Sequence, residues 1–297
     1  MRWLIDQGWV EAKGNTRQRT YHLVTLDSRS FRKALEGLEE DRFWQEVSAV
    51  LPPDLPENVR DIWQYGFTEM VNNAIDHSEG TEVSVDVGYT AASITMWITD
   101  DGVGIFKKIQ RELGLADERH AILELAKGKL TTDPDNHTGE GIFFASRMFD
   151  DYRIFSGEVV YSHQSVNEED WVMEMDSGLT GTHVRMSLFN ATKRTSEKVF
   201  DEYASEDGDY GFTKTVVPVR LLKHGPEKLV SRSQAKRLLA RFDRFRTVIL
   251  DFEGINEIGQ AFADEVFRVF PGHHPDVQIV PIKMCPRVQK MYRRTQS

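Results

Sequence analysis

The stretch from Phe67 to Ser78 carries three oxygen-bearing side chains at helical spacing. Because a helix turns about 100° per residue, Glu69, Asn73 and Asp76 fall on one stripe of it. A polar group that is buried without a partner costs roughly 2–7 kcal/mol. The stripe is therefore either the solvated face of an amphipathic helix or one wall of a polar site, and the rest of the chain decides between the two.

A second candidate residue stands at the end of a predicted strand. The alternating apolar residues of Ile94–Ile98 run directly into the sequence Asp100-Asp101-Gly102-Val103-Gly104. This ending places one carboxylate at a sheet edge, beside a backbone that glycine leaves free to turn. The stretch lacks the Gly-x-Gly-x-x-Gly and Gly-x4-Gly-Lys-Ser/Thr patterns, so it indicates neither a Rossmann site nor a P-loop.

A third candidate is the glycine pair in His137-Thr138-Gly139-Glu140-Gly141, which precedes an apolar run. Glycines that open a helix expose backbone N–H groups at the positive end of the helix dipole, which suits a phosphate. The alternative is a helix that simply starts with Thr138 as its N-cap. The long polar and helical connection over residues 107–137 is typical of a functional lid.

These candidates need helices and strands to position them. Alternating apolar residues predict strands, and the spacing over residues 28–50 predicts one or two amphipathic helices before the prolines that follow. Helices and strands are segregated, which indicates an α+β fold with helices against one face of an antiparallel sheet. The later strands are predicted at Tyr152–Phe155, Val159–Ser162, Trp171–Glu174 and Thr182–Leu188.

Composition excludes several classes of protein. The chain has 297 residues, 40% of them hydrophobic, and a formal charge of -10, which argues against a general nucleic-acid coat. No apolar run approaches the ~20 residues of a membrane span, so we expect no membrane partner. The single cysteine, Cys285, leaves no internal disulfide and favours a reducing cytoplasm.

The N-terminal residues 1–25 predict a short helix ending near Gln7-Gly8 and a β-hairpin with a turn at Gly14-Asn15. The pattern resembles the end of the last helix and the wing of a winged helix-turn-helix domain. Two interpretations stay open: a hairpin that docks on the next domain, and a weak DNA contact through the basic residues Lys13–Arg19. A lone wing places no helix in the major groove.

Four motifs in order resemble the GHKL ATPase superfamily, which includes DNA gyrase, the heat-shock chaperone, histidine kinases and anti-sigma-factor serine kinases. The N box is Glu69-x-x-x-Asn73-Ala74-x-Asp76-His77, and the first glycine box is Asp100-x-Gly102-x-Gly104. The second glycine box is Thr138-Gly139-x-Gly141, and Gly181-Thr182 fits the final strand motif. The resemblance covers about residues 45–190 and implies a Bergerat-type ATP-binding sandwich with a mixed, mostly antiparallel sheet.

The resemblance also implies roles at the purine end of the nucleotide. Asp100 would accept a hydrogen bond from the adenine amino group, and Thr182 would support it. Gly102 and Gly104 would let the backbone approach the nucleotide. Asp76 would be a water-mediated neighbour of the purine or sugar.

At the phosphate end, the resemblance implies that Asn73 ligates Mg²⁺ through its side-chain oxygen. Glu69, one helical turn earlier, would position or deprotonate the attacking nucleophile. Thr138, Gly139 and Gly141 would hold the phosphates under the lid. Lys127 or Lys129 would either reach the phosphates from the lid or stay solvated, which is the ordinary state of a lysine.

The histidines that precede the N box bear on which branch of the superfamily the chain resembles. The only histidine before His77 is His22, in the predicted hairpin, so a self-phosphorylating sensor histidine kinase is not expected. The intact Glu69 permits ATP hydrolysis or phosphotransfer to a serine or threonine of a partner. The short domain resembles the anti-sigma kinase branch most, and dimerisation through the region before the N box rests on analogy.

The C-terminal residues alternate between strands and helices, which predicts a small α/β layer. The run from Val248 to Glu265 resembles a STAS domain, and more closely the STAS-like modules fused behind such ATPase domains. The loop that holds the phosphorylatable serine in anti-anti-sigma factors reads Gly259-Gln260-Ala261 here. Because no Ser or Thr occurs from Val248 to Arg294, this module is expected to bind a partner without chemistry of its own.

Together these patterns predict four parts: a partial winged helix over residues 1–25, an ATP-binding domain over 28–195, an acidic linker over 196–210 and a STAS-like domain over 211–297. The expected function is that of a regulatory protein that binds ATP and Mg²⁺ and switches conformation with nucleotide. The alternative is a DNA-associated transcriptional regulator that uses ATP only as a ligand.

Overall fold

The computed structural model describes residues 1–15, 17–131, 138–166, 169–204, 211–223 and 227–296. Contacts divide the chain into two compact units. The first unit contains residues 1–108 and 144–196, and the second contains residues 109–143 and 197–297. The sequence assigned 109–143 to the ATP-binding domain, whereas the contacts group this segment with the C-terminal residues. The domain boundaries drawn from the sequence stay predictions.

A five-stranded sheet with the order β3-β4-β5-β7-β6 forms the centre of the first unit. Every neighbouring pair of its strands is antiparallel. A separate two-stranded hairpin, β1–β2, lies near the N-terminus. The bounds of the strands are β1 Val10–Lys13, β2 Thr20–Leu23, β3 Asp27–Ala34, β4 Glu82–Tyr89, β5 Ser93–Asp100, β6 Asp151–Gln164 and β7 Glu169–Phe189.

The core of the first unit lies between this sheet and a 21-residue helix, α3. Inward residues alternate along the strands, as in Val83, Val85 and Val87 of β4, and all of these are buried. The helix contributes a buried apolar stripe that includes Phe67 and Met70. The helices that lie wholly or partly in this unit are α1 Arg2–Asp6, α2 Glu40–Ser48, α3 Glu57–His77, α4 Ile105–Leu113 and α6 Gly141–Met148.

One helix prediction is wrong. Residues 28–34, expected to be helical, form most of the edge strand β3, and α2 begins only at Glu40. In β3 only Asp27, Phe31 and Lys33 are part-buried. All three occupy odd-numbered positions, so they share one face of a strand with a period of two. Its backbone pairs with β4 from Asp27 to Ala34, and this pairing outweighs the helical spacing of the apolar residues.

The N-terminal prediction of a short helix and a hairpin is confirmed. Helix α1 ends at Asp6, and β1 pairs with β2 antiparallel, with Val10 opposite Leu23. Every residue of β2 is exposed. The resemblance to a winged-helix remnant itself stays a prediction.

The second unit contains a parallel three-stranded sheet with the order β10-β9-β8. The predicted alternation of strands and helices in the C-terminal region is confirmed, and Val248, Leu250 and Phe262 are among its buried residues. Its strands are β8 Lys214–Pro218, β9 Thr247–Asp251 and β10 Gln278–Ile282. Its helices are α5 Glu118–Lys127, α7 Ser196–Tyr203, α8 Arg232–Leu239, α9 Gln260–Asp264, α10 Phe270–His273 and α11 Pro286–Thr295, with π-helical Glu265–Val269 joining α9 to α10.

Two further observations concern the predicted linker and the hydropathy of the helices. The predicted acidic linker begins with a helix, α7, whose Val199 and Tyr203 are buried. None of the helices in the described part of the chain has the length and hydropathy needed to cross a membrane.

Candidate functional site

Asp100 is a buried carboxylate at the end of β5, with 8% of its surface exposed. Its Oδ1 accepts the backbone N–H of Gly102 at 2.9 Å and that of Thr182 at 3.2 Å. Burial raises the pKa of the carboxyl, while these hydrogen bonds and the Thr182 hydroxyl partly offset the effect. The Thr182 hydroxyl in turn accepts the backbone N–H of Ile105 at 3.1 Å. The first glycine box and the final strand motif are thus joined through one side chain.

Gly102 is required by the end of α3. A Cβ at this position would lie 2.0 Å from the carbonyl oxygen of Ser78, the residue that follows the last turn of the helix. The same Ser78 carbonyl accepts the backbone N–H of Val103 at 2.9 Å. The N-box helix and the first glycine box therefore touch through backbone atoms, at a distance that no side chain tolerates.

Two further glycines allow the strand ends to meet. Gly181 has a φ of +74°, and a Cβ there would lie 2.0 Å from the carbonyl oxygen of Asp100. Gly104 has a φ of +89°, and a Cβ there would lie 2.5 Å from Oγ of Ser156. Left-handed backbone of this kind favours glycine. These contacts explain both glycines by the packing of the strand ends alone.

The two adjacent aspartates, Asp100 and Asp101, lie in different environments. Asp101 is exposed, and its carboxylate accepts the backbone N–H groups of Thr81 and Glu82 and the Thr81 hydroxyl, at 2.6–2.9 Å. These hydrogen bonds lower its pKa to about 2. Asp101 thus fixes the start of β4, whereas Asp100 faces the interior.

The predicted stripe on α3 is present. Glu69 and Asn73 are half-buried one helical turn apart, and Asp76 is exposed nearer the end of the helix. The charge of Glu69 acts on the buried Tyr152 of β6, whose pKa is raised mainly by burial and then by Tyr161 and Glu69. The stripe is thus neither fully solvated nor fully enclosed, which fits side chains that line a site.

The second glycine box lies in the second unit. Gly139 has a φ of +69°, and a Cβ there would lie 2.3 Å from the carbonyl carbon of Leu130. Its carbonyl accepts the Leu130 N–H at 3.0 Å. Helix α6 begins at Gly141, and Thr138, which is exposed, lies three residues before it. His137 of the same motif lies outside the described residues.

One of the two expectations for Lys127, a solvated lid lysine, is wrong, and the other, a contact with the phosphates, stays a prediction. Its side chain is 0% exposed, so it is not a solvated lid lysine. Its amine donates to Glu124 at 2.6 Å and to the carbonyls of Arg237 and Ala240 at 3.1 and 3.0 Å, so all three of its donors are used. The residue therefore has no donor left for a phosphate in this arrangement.

A buried polar network in the first unit was not found from the sequence. Asp170 of β7 accepts hydrogen bonds from Tyr161 and from His163, both in β6, and an ion pair joins it to Arg147 of α6. Burial alone would raise the pKa of Asp170, but Arg147 and His163 outweigh it and hold the pKa far below its usual range. The four residues lie 70 or more positions after the N box in sequence and show no motif spacing, so only the fold reveals them.

The residues of the first unit fit a purine and a hard cation. An ionised carboxylate offers about four acceptor positions, and Asp100 uses them for two N–H groups and one hydroxyl. It can therefore accept one more donor, such as an exocyclic amino group. Among the described residues no cluster of three or more His, Cys, Asp or Glu side chains is arranged to hold a metal ion. The side-chain amide of Asn73, half-buried on α3, offers an oxygen of the kind that a hard cation such as Mg²⁺ accepts.

Comparison with protein families agrees with this geometry. A model for the histidine kinase-like ATPase domain matches residues 40–161, and a model for a STAS-like domain of unknown function matches residues 234–289. The chain therefore carries a histidine kinase-like ATPase domain, which includes the N box and both glycine boxes. A STAS-like domain follows it in the C-terminal region. No protein in the curated set matches the chain.

In the STAS-like domain, Gly259 is tightly packed; it is the first residue of the stretch Gly259-Gln260-Ala261, which the resemblance to anti-anti-sigma factors places at their serine loop. Gly259 precedes α9, and a Cβ there would lie 2.8 Å from the Cα of Val230. The N–H of Gly259 also donates to the Leu229 carbonyl at 2.8 Å. A serine side chain does not fit this position without a shift of the backbone.

Proposed function

We propose that the protein is a regulator that binds ATP with Mg²⁺ and changes conformation with nucleotide. The observation that carries the proposal is the buried Asp100 carboxylate, held by Gly102 and Thr182 and still able to accept a hydrogen bond. A buried carboxylate is costly unless it is hydrogen-bonded, and a ligand that donates one more hydrogen bond would lower that cost. The match to a histidine kinase-like ATPase domain supports the choice of ATP as that ligand.

In this proposal the residues of the first unit have distinct tasks. Asp100 accepts the adenine amino group, and Thr182 holds the carboxylate in place. Gly102 and Gly104 keep the backbone close to the nucleotide, and Asp76 is a water-mediated neighbour of the purine or sugar. Of these tasks, the hold of Thr182 on the carboxylate has the most direct support, because the Thr182 N–H donates to Oδ1 of Asp100 at 3.2 Å.

The phosphate end has its own set of residues. Asn73 is the proposed Mg²⁺ ligand, and Thr138, Gly139 and Gly141 supply backbone contacts to the phosphates. Bound Mg²⁺ would neutralise charge on the phosphates. Glu69 positions or deprotonates the nucleophile, which is water or a partner's hydroxyl.

Calorimetric titration of the full chain with ATP, with and without Mg²⁺, tests the proposal. We expect saturable binding that Mg²⁺ strengthens and that Asn73→Ala weakens in the presence of Mg²⁺ but not in EDTA. Failure of the wild-type chain to bind ATP under either condition would contradict it.

A Glu69→Ala variant separates an enzyme from a sensor. If the protein is an ATPase or a serine/threonine kinase, this variant binds Mg-ATP as the wild type does but loses turnover or phosphotransfer. If the wild type shows neither activity with any partner, the pocket is a nucleotide sensor. A pull-down with and without ATP identifies the protein partner, and light scattering under the same conditions tests for a homodimer.

A second candidate function, a DNA-associated regulator, rests on the exposed N-terminal hairpin. Arg17 and Arg19 are exposed, whereas Lys13 is paired with Glu11 at 2.7 Å. Phosphate contacts give an affinity that falls steeply with salt. This candidate predicts DNA binding at low salt that Arg17→Ala and Arg19→Ala weaken, and the absence of such binding removes it.

A further inference from the structure

Helix α5, the second of the two described helices between the glycine boxes, belongs to the core of the second unit. Every residue of α5 from Ala121 to Lys127 is buried. In a nucleotide-binding lid that moves freely, we expect a solvated helix instead. The partners of α5 within this unit include strand β8 and the 3₁₀ turn Val219–Leu222 that follows it.

Two helix ends in this unit cap each other. The amine of Lys127, at the end of α5, donates to the carbonyls of Arg237 and Ala240 at the end of α8. The guanidinium of Arg241, just after α8, donates to the carbonyls of Gly128 and Lys129 just after α5, at 2.9 and 2.5 Å. The last carbonyls of a helix have no partner within the helix, so each cation satisfies groups that would otherwise need water.

A buried carboxylate links the two cations. Glu124 of α5 is 2% exposed and lies 2.6 Å from the Lys127 amine and 2.9 Å from the Arg241 guanidinium. Burial alone would raise the pKa of Glu124, but His120, Lys127 and Arg241 outweigh it and lower the pKa. The carboxylate is therefore charged at neutral pH and ties α5 to the segment after α8.

Two more contacts extend this attachment toward the second glycine box. Thr215 of β8, itself fully buried, donates its hydroxyl to the Lys127 carbonyl at 2.8 Å. The amine of Lys129 donates to the Arg244 carbonyl at 3.0 Å and lies 5.1 Å from the ring centre of Phe245. Gly128 leaves no room for a Cβ, which would lie 2.6 Å from Phe212.

We propose that this attachment, which we call the lid lock, restrains the lid and competes with ATP for it. Lys127 and Lys129 stand eleven and nine positions before Thr138, where the second glycine box begins, yet both amines are bound to carbonyls of the C-terminal region. A phosphate can recruit either lysine only if those bonds open. The C-terminal region therefore lowers the affinity for ATP, and bound ATP loosens the lid lock by the same factor, because coupling between two equilibria is reciprocal. The inference rests on the proposed function.

Affinity for Mg-ATP in the full chain tests this restraint. Arg241→Gln removes the charge that holds Glu124 and the α5 carbonyls, so we expect binding roughly five- to fifty-fold tighter than in the wild type, in the usual range of coupling. Arg232→Gln, an exposed charge loss in α8, is the matched control and should leave the affinity unchanged. If Arg241→Gln prevents folding, Thr215→Val deletes one hydroxyl contact with little change of shape and should tighten binding in the same direction.

Hydrogen exchange distinguishes a lock from a purely structural contact. We expect Mg-ATP, at a concentration that just saturates the wild type, to accelerate exchange of the amides of residues 118–130 in the wild type and to have a much smaller effect in Asp100→Asn, which binds more weakly. If the wild type binds Mg-ATP, but both lock variants bind with unchanged or weaker affinity and α5 exchange does not respond, the lid lock is refuted and the proposed function stands. If the wild type does not bind Mg-ATP, the lid lock and the proposed function are both refuted.

Discussion

The Asp100 carboxylate accepts the backbone N–H of Thr182 at 3.2 Å, which joins two motifs that lie 82 positions apart in the chain. The contact sits where β5 ends beside β7, one residue beyond the pairing of Thr99 with His183. The orientation of the proposed adenine acceptor is therefore set by a strand that lies outside the stretch matched by the ATPase family model. Substitutions at Gly181, the residue before Thr182 in β7, should therefore change nucleotide affinity through the orientation of Asp100.

The approach of Gly102 to Ser78 predicts a large loss of stability for Gly102→Ala. A Cβ 2.0 Å from a backbone carbonyl oxygen forces α3 and the glycine box apart. We expect the free energy of unfolding to fall by roughly 1–3 kcal/mol in urea denaturation. Gly88→Ala, in β4, is the control, because a Cβ there meets atoms only at ordinary contact distance and should change stability by about 0.5 kcal/mol or less. Equal effects of the two substitutions would contradict the close approach.

The negative charge of the buried Asp100 carboxylate should lower the free energy of unfolding. Its folded pKa is raised above 3.8, so the stability it contributes is fully present below about pH 4 and is lost as the pH rises through the folded pKa. Asp100→Asn keeps an acceptor for Gly102 and Thr182 but carries no charge to desolvate. Relative to the wild type, the variant should therefore gain in unfolding free energy between acid and neutral pH. A stability difference that is constant over that range would argue against a buried, ionised carboxylate.

The burial of Lys127 should change how the free energy of unfolding depends on pH in alkaline solution. Burial lowers the pKa of its amine from 10.5 to about 8, although Glu124 partly offsets the effect. The unfolded chain then binds more protons than the folded chain between about pH 8 and pH 10.5, so stability rises with pH across that window. The unfolding free energy of the wild type minus that of Lys127→Met should grow by about 3 kcal/mol across it. For Lys236→Met, at an exposed position, the corresponding difference should stay flat.

Asp170 should be among the most sensitive positions of the first unit. Removal of one charge from a buried ion pair costs roughly 3–5 kcal/mol, and Asp170→Asn leaves Arg147 without this carboxylate. The exposed Asp176 of the same strand offers the control, since Asp176→Asn should change stability by about 0.5 kcal/mol or less. Thermal unfolding of the two variants measures the difference, and a stable Asp170→Asn protein would show that the network contributes little.

The sequence predicted strands at four of the five strands of the main sheet and the helix α3, because their periodicity is regular. It misassigned residues 28–34, because an edge strand with one part-buried apolar residue in the middle carries little alternation. It also could not choose between Asp100 and Asp101 by environment, since burial of one and exposure of the other depend on β4 and β7.

The position of Lys127 was beyond sequence reasoning for a different reason. A lysine between two glycine boxes suggests a lid, but the carbonyls that bind its amine come from residues more than 100 positions later in the chain. The structural reason for the glycines was also not visible in the sequence. Their spacing indicated a nucleotide site, whereas the structure shows that Gly102 and Gly181 are needed by neighbouring backbone even before a ligand is considered.

The central claim is that Asp100 recognises the adenine ring, and isothermal titration with Mg-ATP tests it through a pair of neighbouring substitutions. We expect Asp100→Asn to weaken binding by about 10- to 100-fold, the effect of losing a hydrogen bond to a charged group. Asp101→Asn should bind as the wild type does, because that carboxylate is committed to Thr81 and Glu82. Undiminished binding by Asp100→Asn, or an equal loss in both variants, would contradict the account.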